Sequence, residues 1–488
     1  MGGLTGIASG VAQIRPMIGR YLKANDPIIQ RSRFKSRKRQ SLRIDTHAVY
    51  SSGFRNQSSG RIRDNPGRQV FAAKSVRKTG LFDVCPTLEK RVAMLTDRSL
   101  IRISPREHDV LNKLGRLSAA SGSHSPSLGT MQKSIPEINV EIDACYLSNP
   151  LATELFWTHF NADMLADPDL FKRMLEAYPS QNNAIAERLA PVIGVEADHL
   201  FIANGATEAI QAVIHNYSSH IHISTPTFSP YYEFAGPGCQ VTEFKLDPAD
   251  NFRVDPEKYV QSVLDSGADT AVLISPNNPD GYLIPDTDLE CILSKLTRLR
   301  TVIVDESFVH FADRPLPEGE LPTLTGITEQ FDNVTVMKSM SKDFGIAGIR
   351  AGYAIMQPER VKQLLDHGYL WNTSGMAEYF FTLFGRPDFL IEYRTELMKY
   401  RSYIDRFTTA TAKIDYARVF ETSANFQLMQ LPEGVSAEIV TALLLLRHGI
   451  YVRGCGDKIG LDGEFIRVAI RTESENERVL DALAEILG

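Results

Sequence analysis

The sequence predicts an α/β protein: a mainly parallel sheet with helices on both faces, followed by a smaller α+β lobe. Three observations predict it. Between about residues 186 and 380, short apolar runs alternate with helical periodicity, which is the pattern of βα units. Polar residues cluster directly after the apolar runs, at the carboxyl edge where open α/β sheets bind ligands. Beyond about residue 380 the alternation gives way to one long helical stretch, then strand-like runs and a closing helix. Taken in order, "NNAIAERLAPVIG" has helical spacing, and "HLFIANGATEAIQAVIHNY" reads as strand, glycine turn, helix. "HIHISTPTFSPYYEFA" repeats that unit, and "TAVLISPNNPDGYLIP" is a buried strand running into a proline-rich loop. "DLECILSKLTRLR" is an amphipathic helix, and "TVIVDESFVHF" and "NVTVMKSMSKDFG" are two more buried strands.

Charge divides the chain. Residues 1–130 hold 24 Lys+Arg against 8 Asp+Glu, a net of +16; the remainder holds 29 against 51, a net of −22. The basic stretch is rich in Ser, Arg and Gly and too poor in apolar residues to order itself, so residues 1–130 are expected to be a disordered extension. A transit peptide or an anionic-surface arm has similar composition. The aromatics are not interleaved as nucleic-acid stacking platforms would require, and no nucleic-acid partner is expected. The expected organisation is then 131–185 as an arm and the start of the small domain, 186–380 as the large ligand-binding domain, and 381–488 as the small domain. Five cysteines without a CxxC pair argue against a disulfide framework or a zinc site, and no metal is expected. No apolar run reaches the roughly 18–20 residues that span a bilayer. A cytoplasmic location is expected, or an organelle if the extension is a transit peptide.

Four strand ends offer chemistry. Gly205, Ala206 and Thr207 open a helix, whose free N–H groups and dipole favour an anion. Asn277 and Asn278 precede Pro279 in a turn. Asp305 ends a buried strand, where a carboxylate is costly unless it meets a cation or a proton donor. Ser339, Ser341 and Lys342 are followed by Arg350, and hydroxyls with a guanidinium fork suit a phosphate. Any one of these is an ordinary turn, cap or surface group on its own. Their joint order matches what pyridoxal phosphate needs: a lysine amine for its aldehyde, an acid for its pyridine nitrogen, a donor for its ring hydroxyl, and a phosphate cradle.

On these motifs the chain resembles the fold type I pyridoxal-phosphate enzymes. Within them it is similar to class I/II aminotransferases of the histidinol-phosphate aminotransferase group, over roughly residues 135 to 488. The resemblance implies that Lys342 in "SMSKDF" carries the cofactor and moves protons. It implies that Asp305 pairs with the pyridinium nitrogen, Asn278 bonds the ring hydroxyl and Phe228 in "PTFSPYY" stacks on the ring. Arg350, Ser339, Ser341 and the Gly205-Ala206-Thr207 turn would hold the phosphate. Tyr178 in "AYPSQ" would reach the phosphate of a neighbouring subunit, implying a homodimer with shared active sites. Arg467 in "FIRVAIRT" would clamp the substrate carboxylate, Arg453 in "IYVRG" would face its distal group, and Asn372 in "LWNTSGMAE" would lie near the substrate. The implied activity is ping-pong transamination between an amino acid and a 2-oxo acid. The alternative is decarboxylation of a phosphorylated amino acid, as in threonine-phosphate decarboxylases. Two departures from the family pattern favour that sister branch: Phe308 stands where a tyrosine is usual, and Arg471 where a small residue is usual.

Overall fold

The computed structural model describes residues 101, 103–122, 124–314 and 320–488. Seven strands form the larger sheet in the order β2 (Leu200–Ala203), β8 (Gly352–Ile355), β7 (Val334–Ser339), β6 (Thr301–Asp305), β5 (Thr270–Ile274), β3 (His220–Thr225), β4 (Gln240–Lys245). Neighbours are parallel except for the two pairings made by β8. The sequences of β5 and β6, TAVLI and TVIVD, are buried at every position, as strands covered on both faces must be. Because β2, β3, β5, β6 and β7 all run the same way, their carboxyl ends form one edge. That edge carries Gly205, Phe228, Asn278, Asp305 and Lys342.

The smaller sheet has the order β1 (Ile142–Ala144), β11 (Ile450–Gly454), β12 (Phe465–Ala469), β10 (Phe426–Gln430), β9 (Arg418–Val419). β1 pairs in parallel with β11, so a strand from the start of the described chain completes a sheet built from its end. The long helix Pro387–Thr411 packs against helix Pro150–Ala166. Among the described residues, no helix is long and apolar enough to cross a membrane.

The expected disordered extension does not reach residue 130. Helix Pro105–Ala120 begins with a capping box, in which Ser104 and Glu107 each take the other's backbone N–H, and Pro105 fills the first turn. Val110 and Leu111 are buried, and Val110 shares a cluster with Met131, Ile135, Cys145, Leu445 and Tyr451. Glu107 pairs with Arg447 at 2.7 Å, and that guanidinium brings its carboxyl down to about 2 against the opposing effect of burial. The basic composition upstream masks this helix, because two buried apolar residues in sixteen leave the average polar. The targeting and surface-arm readings fall mainly on residues 1–100, which lie outside the described residues.

Candidate active site

Lys342 follows β7 in a turn tied to helix Pro150–Ala166, whose cap residue Asn149 donates its N–H to the Lys342 carbonyl at 2.8 Å. The Asn149 amide also reaches the carbonyl of Asp343 at 3.2 Å. Lys342 makes no ion pair within 4 Å among the described residues. Burial, then the nearby guanidiniums of Arg467 and Arg350, bring its amine down to about 8. A lysine so placed gives up its proton readily and becomes a nucleophile.

Asp305 ends β6 and is buried. Its Oδ2 accepts from the Tyr231 hydroxyl at 2.8 Å and its Oδ1 from the Ser307 N–H at 2.9 Å. Burial pushes this carboxyl up, so a further proton donor is favourable at the same group. Phe228 lies edge-on to Tyr231, with ring centroids 6.4 Å apart.

Arg350 adopts a left-handed backbone at φ 63°, which turns its guanidinium back over the start of helix Ala206–Tyr217. Gly205, at φ 80°, makes room for it: a Cβ there would lie 2.5 Å from Arg350 Nη2. Arg350 Nη1 donates to the Ala347 carbonyl at 2.9 Å and lies 3.5 Å from Ser341 Oγ. Ser339 Oγ accepts from the Ser341 N–H at 3.3 Å. The helix start, two hydroxyls and a guanidinium therefore converge on one anion-sized place.

The second sheet closes the cleft. Arg467 on β12 donates to Asn278 Oδ1 at 2.7 Å and to the Cys145 carbonyl at 2.9 Å, and its Nε is buried without a partner. Arg453 on β11 stands directly across from Arg467 in the antiparallel ladder and pairs with Asp457 at 2.5 Å. Cross-strand partners project from the same face, so both guanidiniums serve one cleft. Phe308 packs edge-to-face on Phe426, the ring that also lies under Arg467.

One expected residue lies elsewhere, and two more, Tyr178 and Arg471, touch none of this group within the chain. Asn372 does not face the substrate clamp: its amide donates to the Ile202 carbonyl at 3.1 Å and to Glu208 Oε2 at 2.7 Å, behind the anion turn. Tyr178 is 86% exposed beside Trp371 and touches none of the group within its own chain. Arg471 binds the Ser148 carbonyl at 3.1 Å, four residues beyond the Arg467 pairing, and acts as a structural tie there. Tyr231, Ser307 and Asn149 were not among the expected site residues. Tyr231 is the one with a signal, since a tyrosine buried three residues after Phe228 needs a polar partner.

The profile of the family "Aminotransferase class I and II" matches residues 164–483. An L-serine phosphate decarboxylase of Campylobacter jejuni is 43% identical over 388 residues, covering 79% of this chain and 99% of that one. A second L-serine phosphate decarboxylase, from Sulfurospirillum multivorans, is 41% identical over 375 residues, covering 76% and 94%. A solved decarboxylase from Sulfurospirillum multivorans superposes with a TM-score of 0.74 at 37% identity, over 82% of this chain and 99% of that one. These relatives correct the expected reaction. Transamination does not stand as the reading, because full-length relatives at this identity are decarboxylases. The family motifs fix the cofactor and leave open which bond of the substrate is broken.

Pyridoxal phosphate fits the cleft on three observations: the close approach of Arg350 to the Gly205 backbone that a Cβ would block, the buried Asp305 carboxyl that burial pushes up at the ligand edge, and a lysine amine at about 8 with no ion pair among the described residues. The chain belongs to the aminotransferase class I and II family, pyridoxal-phosphate enzymes of fold type I.

Proposed function

We propose that this protein is a pyridoxal-phosphate-dependent decarboxylase of a phosphorylated amino acid, with L-serine phosphate as its substrate. The observation that carries the reading is the opposed pair Arg453 and Arg467, which offers two anion sites on one face of one cleft. The decarboxylase relatives support it. A substrate with a carboxylate at one end and a phosphate at the other uses both sites, and a phosphate asks for a charge-assisted fork.

Bound pyridoxal phosphate would draw electrons from the substrate's Cα, and the bond that breaks is the one standing perpendicular to its ring. Arg350, Ser339, Ser341 and the Gly205-Ala206-Thr207 turn would hold the cofactor phosphate. Asp305, braced by Tyr231 and Ser307, would keep the pyridine nitrogen protonated. Asn278 would meet the ring hydroxyl, and Phe228 would cover the ring. Phe308 offers that hydroxyl no bond. Lys342 Nζ would hold the cofactor through its aldehyde carbon and stands ready to move a proton at the substrate's Cα. Arg453 anchors the distal phosphate and so sets rotation about the substrate's N–Cα bond, while Arg467 meets the carboxylate. When the Cα–carboxyl bond breaks, CO2 leaves, and Lys342, having taken up the proton given by the substrate's ammonium, delivers that proton to Cα. The product is ethanolamine phosphate. The active form is a homodimer in which the exposed Tyr178 serves the partner's phosphate cradle.

The test uses holoenzyme, O-phospho-L-serine and no oxo-acid acceptor. Many turnovers of CO2 and ethanolamine phosphate are expected, with no oxo acid. One equivalent of oxo acid followed by arrest would overturn the reading.

A further inference from the structure

Lys458 lies in the turn after β11, with its N–H on the Cys455 carbonyl at 3.0 Å. The turn is pressed against the large sheet's ligand edge. At Gly460, φ 88°, a Cβ would lie 2.8 Å from the Thr225 carbonyl carbon and 2.9 Å from the Pro226 nitrogen. That is the start of the segment leading to Phe228, so Lys458 sits between the small sheet and the cofactor edge. Its side chain is half-buried and makes no ion pair within 4 Å among the described residues. Burial lowers its amine; Asp457 works against that, while Arg453 and Arg467 add to it. The nearest carboxylate, Asp457, is already held by Arg453.

Arg453 and Arg467 thus stand opposite one another in the ladder, Lys458 follows in the adjoining turn, and the Asp457 carboxylate beside it is taken by Arg453. An ammonium drawn out of water beside two guanidiniums is unfavourable unless an anion joins it. A monoanion at Arg467 leaves charge to spare; a phosphate carrying about −1.5 to −2 at neutral pH supplies what is missing. We propose that Lys458 is a substrate-binding residue that holds the distal phosphate together with Arg453. The proposal rests on the phospho-amino-acid reading above and assigns the selectivity for phosphate over a bare hydroxyl to this turn.

The experiment compares wild type, Lys458→Met and Lys458→Arg as holoenzymes. The probes are O-phospho-L-serine, L-serine and inorganic phosphate. Lys458→Met is expected to raise KM for O-phospho-L-serine by about 10–100-fold, the size of one charged hydrogen bond, with a smaller change in kcat. Its kcat/KM for L-serine should stay near wild type, its calorimetric affinity for inorganic phosphate should fall, and Lys458→Arg should recover most of both losses. In the wild type, inorganic phosphate should slow labelling of Lys458 by an amine reagent, a readout that does not depend on any variant folding. Equal losses for L-serine and O-phospho-L-serine, or labelling unaffected by phosphate, would overturn the proposal. If the enzyme turns over O-phospho-L-serine and Lys458→Met binds phosphate as well as wild type, this site fails while the proposed activity stands. If O-phospho-L-serine is not decarboxylated but phosphate still protects Lys458, the activity fails while the anion site stands.

Discussion

The strand β7 and the turn that follows it hold two lysines four residues apart, with opposite surroundings. Lys338 is 1% exposed and lies 2.7 Å from Asp343 Oδ2, a carboxylate that is itself 0% exposed. His310 Nδ1 lies 3.0 Å from the same oxygen and 2.8 Å from the Tyr393 hydroxyl. Burial pushes the Asp343 carboxyl up, but Lys338 and His310 bring it down to about 2; burial and Lys338 hold His310 at about 4, neutral at ordinary pH. Lys342 has no such partner, and its strongest charged neighbours are the guanidiniums of Arg467 and Arg350. Burial alone therefore does not make a lysine reactive. The Asp343 carboxylate beside Lys338 ties it into the core and makes it structural; cations beside Lys342 weaken its hold on the proton and make it chemical.

The largest effect separates the two lysines by function. Lys342→Ala should lose the cofactor label that borohydride reduction fixes on the wild-type peptide, and turnover should fall at least about 10²–10⁴-fold. Its denaturation midpoint should move little. Labelling at another lysine would break the contrast. Next, Lys338→Met should leave the labelling of Lys342 intact but strand the Asp343 carboxylate. Removing one partner of a buried pair costs about 3–5 kcal/mol, to be read by denaturant unfolding; a variant as stable as wild type would show that the pair contributes nothing. Smaller again, Arg467→Lys keeps the charge beside Lys342 and loses the planar fork, so kcat/KM should drop by about 2–3 kcal/mol.

The last prediction concerns the proton itself. Only neutral Lys342 attacks an aldehyde, and its amine sits at about 8. The rate at which apoenzyme captures pyridoxal phosphate should rise with pH, by about tenfold from pH 7 to 9, and level off beyond. An ordinary lysine would keep climbing toward about 10.4. Stopped-flow absorbance across that range distinguishes the two profiles.

The parts legible in the sequence were those written in contiguous residues. Buried runs such as TVIVD declare a covered strand, and the polar residue at each run's end marks the ligand edge, so Asp305, Asn278, Lys342 and Arg350 could be named before any contact was known. What was hidden depends on distant pairing. Arg467 and Asn278 are 189 residues apart, and β1 finds β11 across the whole body. Asn372 was expected near the substrate because the resemblance placed a contact there, and the sequence does not reveal that its donors go to Ile202 and Glu208. Lys458 lies in "CGDK", which reads as a solvated turn until β12 is set beside it. The reaction branch was the least legible part, because it turns on how a substrate is rotated between Arg453 and Arg467, and no motif records an angle.

The helix Pro105–Ala120 has a consequence for where protein synthesis can begin. Met131 opens the stretch where folded-protein patterning becomes obvious, yet its side chain is 0% exposed, packed with Val110, Leu445 and Tyr451. A ribosome initiating there would release a chain lacking Val110, the carbonyls of Ser125 and Pro126 that take the Tyr146 hydroxyl, and the Glu107 partner of Arg447. The Tyr451 hydroxyl, bonded to the Pro126 carbonyl at 3.0 Å, would lose its acceptor. The apolar face so bared on helix Ala437–His448 is what chaperones and proteases bind. A chain that keeps this helix together with its capping box therefore begins at or before Ser104.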